Sequence, residues 1–88
     1  METVHLVIKG KVQGVYYRVS AKEKANALDI KGWVKNTGEN VEVMASGNKE
    51  QLETFIEWCR LGPKYATVTD IIITKADAEN VNDFSIKK

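Results

Sequence analysis

The 88-residue chain holds one cysteine, one proline and one histidine. A lone thiol, Cys59, makes neither an internal disulfide nor a zinc site, so a disulfide scaffold and a zinc domain are excluded and a reducing, cytoplasmic setting is expected. No apolar run approaches the roughly 20 residues that a membrane helix needs, and Met1-Glu2-Thr3 opens no secretory signal. Neither sign of charge dominates. Thirteen basic against twelve acidic residues leave a formal net charge of +1, with no basic block, which argues against general attraction to nucleic acid or an anionic membrane. There is no internal repeat, linker or low-complexity segment. What remains is 43% hydrophobic and 28% charged, the balance of a soluble globular protein. The expectation is one domain over residues 1–88, a monomer with a single core and little surplus stability.

Hydrophobic spacing sets the element order. Val4 to Val12 alternates, with Val4, Leu6 and Ile8 on one face and His5 and Lys9 on the other, as in a half-buried strand. Val19 to Leu28 reads as a helix with Ala21, Ala25 and Leu28 on its inner face. Asp29 stands at its stop, a left-handed position that Asp tolerates. Lys31 to Asn36 and Val41 to Ser46 form a hairpin about the turn Thr37-Gly38-Glu39-Asn40. Asn48 with Gln51 is a capping box for a second helix, whose Leu52, Phe55, Ile56 and Cys59 share a face. Gly62-Pro63 ends it. Val68 to Thr74 is a β-branched strand, residues 77 to 83 a polar loop, and Phe84 to Ile86 a short final strand. The order predicts an α+β, ferredoxin-like βαββαβ sandwich: an antiparallel sheet, two helices on one face, and a short C-terminal strand.

Between the first strand and first helix lies Gly10-Lys11-Val12-Gln13-Gly14-Val15-Tyr16-Tyr17-Arg18. Two glycines allow a bend that a Cβ would obstruct. Backbone N–H groups freed in such a turn, beside a helix N-terminus, make an anion pocket. Arg18 adds a planar guanidinium suited to phosphate oxygens. The first two strands, joined by a helical crossover, should run parallel with one strand between them, about 10 Å apart. Arg18 and Asn36 then come to the same end of the sheet and can reach one small anion.

The pattern Gly10-x-Val12-Gln13-Gly14-Val15-x-Tyr17-Arg18, followed by Ala25 and Gly32-Trp33-Val34-x-Asn36, resembles the acylphosphatase family. Asn36 follows Arg18 by eighteen positions, as in that family. Gly47, Gly62-Pro63 with Ala66 and Val68, and Phe84-x-Ile86 extend the likeness over essentially the whole chain. The resemblance implies hydrolysis of the carboxyl–phosphate bond of small acyl phosphates, with neither metal nor cofactor. It implies that Arg18 holds the phosphoryl group with backbone amides of Gln13, Gly14, Val15, Tyr16, Tyr17 and Arg18, and that Asn36 orients the attacking water. Two departures stand out: Asp29 replaces a frequent glycine, and the turn after Asn36 is one residue shorter than in many members, which implies altered substrate access.

Other residue types that could carry chemistry read as structural. His5 lies on a strand with no partner at motif spacing. Cys59 sits on an apolar helix face, Tyr17 should plug the core beneath the loop, and Trp33 and Trp58 read as packing. Glu39 and Glu42 read as solvated charges. An RNA-binding domain of the same element order would need aromatics on the first and third strands, which have none. A Cys-x-x-Cys metal loop and a Gly-Lys-Ser/Thr nucleotide loop are also absent. A non-catalytic anion-sensing domain is the remaining alternative, and the presence of both Arg18 and Asn36 speaks against it.

Overall fold

The structure, a computed structural model, describes residues 1–78 and 80–87. The chain runs β1 (Glu2–Lys11), α1 (Tyr17–Ala27), β2 (Lys31–Thr37), β3 (Asn40–Gly47), α2 (Lys49–Leu61), β4 (Thr67–Lys75) and β5 (Phe84–Ile86). The expected βαββαβ order with a tail strand is present. The expected loop at 77–83 includes position 79, which lies outside the described residues. No helix among the described residues is long and apolar enough to cross a membrane.

The strands lie in the order β4-β1-β3-β2-β5. β1 is antiparallel to β3 and β4, and β2 is antiparallel to β3, so β1 and β2 run the same way with β3 between them. β5 pairs parallel to β2 and extends the antiparallel sheet by one strand. Strand alternation divides the side chains between two faces. Leu6 and Ile8 of β1, Val34 of β2, Val41 and Val43 of β3 and Phe84 of β5 join Ala21, Ala25, Leu52, Phe55 and Cys59 of the helices in one buried cluster.

Helix ends follow their local chemistry. Asn48 caps α2 through a reciprocal bond pair, Gln51 N–H to Asn48 Oδ1 and Asn48 N–H to Gln51 Oε1, each 2.8 Å. Gly62 closes the same helix at φ 71, donating its N–H to Trp58 O at 2.7 Å. Asp29 takes the left-handed conformation expected after α1, at φ 58. The start of α1 differs from the sequence reading by one half-turn. It begins at Tyr17, because Tyr16 is itself left-handed (φ 63, ψ 26) and turns the chain straight into the helix.

Trp33 packs as expected, on the sheet face away from the helices. Its neighbour Val34 points to the helices, so Trp33 covers the open side of the sheet. There it meets the His5 ring at 6.4 Å between centroids, beneath Lys87 Nζ at 4.7 Å and Lys35 Nζ at 5.2 Å.

Candidate active site

The turn after β1 is built by backbone demands. β1 bulges against β4 between Lys9 and Gly10, and a Cβ on Gly10 would run into the Thr67 carbonyl oxygen. Gly14 has free space around it but needs glycine for its φ of +74. The left-handed Tyr16 then delivers the chain into α1. Ser20 N–H, bonded to Tyr16 O at 3.1 Å, is the first amide of this helix with a backbone acceptor. Those from Gln13 to Val19 have none among the described residues, leaving a run of donors at the positive end of α1.

The sheet brings Asn36 to this turn through register. Ile8, Val41 and Asn36 lie side by side across β1, β3 and β2, so their side chains emerge on the helix-covered face. Ile8 and Val41 are fully buried. Asn36, last in the row and beyond the core, is exposed where α1 begins. It shares with Arg18, Gln13 and Gly14 a cleft of about 400 Å³, whose remaining walls are Val12, Tyr16, Tyr17, Val19 and Ile86.

Arg18 is half-buried. Among the described residues it has no carboxylate partner, and neither its guanidinium nor the Asn36 carboxamide is engaged in a hydrogen bond. A partly desolvated cation with no counter-charge, beside open N–H donors, is chemically suited to attract an anion. The cleft lining contains no His, Cys, Asp or Glu. No group of three or more such residues among those described could hold a metal ion.

Gln13 has a role the sequence did not reveal. Its carboxamide donates both N–H bonds, to Gly38 O and to Asn40 O, each at 2.8 Å. One side chain therefore ties the turn after β1 to the β2–β3 turn, two residues beyond Asn36. Val15 is buried at 6% exposure and does not line the cleft; its side chain belongs to the core. Val19 and Ile86 also line the cleft, though the sequence marks them only as a helix start and as part of the Phe84-x-Ile86 strand. The available signal was the position of β5 beside β2.

Tyr17 fills the core under the loop, as expected, and its hydroxyl donates to Cys59 O at 2.6 Å. That carbonyl is one of the last four of α2, which no amide within the helix can satisfy. Burial, with the contact to Cys59, raises the Tyr17 pKa far above its ordinary value. Burial likewise pushes the Cys59 thiol up to about 12, so at neutral pH it is a core residue and no nucleophile.

Glu42 departs from its reading as a solvated charge. Its side chain is only 21% exposed and contacts His5 Nε2 at 3.2 Å. It also accepts from Thr37 Oγ1 at 3.2 Å and lies 3.9 Å from Lys35 Nζ. Burial works to raise its pKa, but the His5 bond, the Lys35 charge and the Thr37 hydroxyl outweigh that and hold it below 4.5. The register explains this, since Val7, Glu42 and Lys35 form one row on the open face. Glu39 is exposed, as expected.

The architecture is that of a small α+β domain with a donor-rich cleft at the start of its first helix. The acylphosphatase family model matches residues 4–86. The chain is 44% identical over 72 residues to an acylphosphatase of Methylococcus capsulatus, covering 81% of this chain and 78% of that protein. It is 43% identical over 82 residues to an acylphosphatase of Marinobacter nauticus, covering 91% and 89%. The crystal structure of acylphosphatase from Bacillus subtilis superposes with a TM-score of 0.96 at 33% identity, over 100% of both chains. The chain belongs to the acylphosphatase family.

Proposed function

We propose that this protein hydrolyses the carboxyl–phosphate bond of small acyl phosphates, with Arg18 and Asn36 as its catalytic residues and no metal or other cofactor. The observation that carries the assignment of roles is the unpaired Arg18 guanidinium sharing one cleft with Asn36 and with open backbone donors. Arg18 and the amides from Gln13 to Arg18 bind the phosphoryl oxygens. Phosphoryl transfer through a loose transition state needs chiefly position and charge stabilisation, which such donors supply.

Asn36 is neutral and takes no proton at pH 7. Its carboxamide oxygen accepts a hydrogen bond from water and so aims the water's lone pair at phosphorus. The new P–O bond forms as the bond from phosphorus to the acyl oxygen breaks, and the carboxylate leaves with that electron pair. The water proton passes to a phosphate oxygen. A carboxylate is a good leaving group, so no strong base is required. The product phosphate fits the same cradle and should inhibit competitively.

We take residues 1–88 to act as one domain, a monomer in a reducing cytoplasm, working on a small molecule rather than on nucleic acid or a membrane. The single free cysteine, buried in the core, suits that setting. The test is benzoyl phosphate hydrolysis in water labelled with heavy oxygen, with and without chelator. Label found in phosphate, at a rate the chelator leaves alone, is the expected result. Label in benzoate would overturn attack at phosphorus, and loss of activity with chelator would overturn the metal-independent route.

A further inference from the structure

The cleft has two chemically different halves. Gln13, Gly14, Arg18 and Asn36 make its polar side, next to the buried Val12 and Tyr17. Tyr16, Val19 and Ile86 make an apolar side, and each is unusually open for a large hydrophobic residue, at 78%, 48% and 36% exposure. Exposed apolar residues scattered singly are ordinary on a protein surface. These three converge on one opening from two elements. Tyr16 and Val19 are three residues apart at the start of α1, and Ile86 is on β5. Ile86 pairs with Val34 of the strand that carries Asn36.

Tyr16 is the most telling of the three. It holds a left-handed backbone, which disfavours a bulky side chain, and stands at the N-cap of α1 without making a side-chain cap. Asparagine would meet both local demands better, since it tolerates that backbone and caps helices. The ring is therefore present against local preference and does not serve the core, from which it projects.

We infer that Tyr16, Val19 and Ile86 form an acyl subsite that takes the apolar part of the substrate, favouring aromatic or bulky hydrocarbon acyl phosphates over acetyl phosphate. This rests on the proposed acyl-phosphate hydrolysis. With the phosphoryl group held on the polar side, the acyl group lies toward the apolar side, and its hydrocarbon is covered by the Tyr16 ring and the two aliphatic side chains. Contact with this non-reacting part of the substrate holds the phosphorus in line with the water on Asn36. Tyr16 also contributes its backbone N–H to the loop, so the inference concerns its ring alone.

The experiment compares kcat/KM for benzoyl phosphate with that for acetyl phosphate, in the wild type, Tyr16→Asn, Tyr16→Phe and Val19→Ser. Expressing each variant as the ratio between the two substrates cancels their different intrinsic reactivity. Tyr16→Asn should lower the benzoyl-to-acetyl ratio about tenfold, Val19→Ser a few-fold, and Tyr16→Phe very little. Thermal melts establish that each variant is folded; should Tyr16→Asn not fold, the Val19→Ser ratio decides. Equal loss on both substrates, or an unchanged ratio, would overturn the subsite and leave the hydrolytic function standing. A wild type inactive on both substrates would overturn both readings.

Discussion

Asn36 and Tyr17 illustrate two ways in which a single polar group matters. If Asn36 only aims the water, Asn36→Ala should cut kcat about a hundredfold while inhibition by inorganic phosphate changes little. Phosphate binding lost with the single-turnover rate preserved would contradict that role. The Tyr17 hydroxyl instead satisfies a buried helix-end carbonyl, that of Cys59. Tyr17→Phe leaves the acceptor without a partner and should lower unfolding free energy by about 1–3 kcal/mol in urea titrations; an unchanged midpoint would contradict the satisfaction argument. Arg18, Asn36 and the buried Tyr17 were legible in the sequence because their motif spacing and the element order together place them. The Gln13 clamp was not. Its acceptors are main-chain carbonyls, which carry no side-chain signature, and only the fold brings Gly38 and Asn40 to it.

At the scale of elements, the site depends on how the turn after β1 is held against the β2–β3 hairpin. Gln13 is the positioning residue between them, because its two bonds span the carbonyls on either side of Glu39. Gln13→Leu should lower kcat on the order of tenfold, since small misplacements of a reacting group are costly. In an Asn36→Ala background the same change should cost little more, because what Gln13 positions is already gone. Fully additive losses would show that Gln13 acts elsewhere. Element boundaries were less legible than element identity. α1 starts at Tyr17 rather than Val19 because a tyrosine in left-handed backbone is not something periodicity reveals. The capping box at Asn48 and the stop at Gly62 were legible because both are local chemistry.

Across the whole molecule the two sheet faces have separate tasks. The helix-covered face builds the core and, at its margin, the cleft. On the open face, Trp33 and the set around Glu42 cover the part of the sheet around β2 and β3. The sequence alone does not reveal the environment of Glu42, because its partners come from β1 and β2 and meet only once the register is known. Its folded pKa is depressed, so the unfolded chain takes up its proton first as pH falls, and the stabilisation is lost through the folded pKa. Glu42→Gln should therefore lower the urea midpoint at neutral pH, with the gap to wild type closing as pH falls below 4.5. A gap that persists in acid would mean that packing, not charge, is what Glu42 supplies. Whether Arg18 grips the phosphoryl group with a guanidinium fork set among backbone donors is decided by kcat/KM for benzoyl phosphate in the wild type and Arg18→Lys. Clear turnover by the wild type and a loss of at least about a hundredfold in Arg18→Lys are expected, because a point charge cannot reproduce the two-pronged contact. Equal activity of the two proteins, or no turnover by the wild type, would contradict that grip.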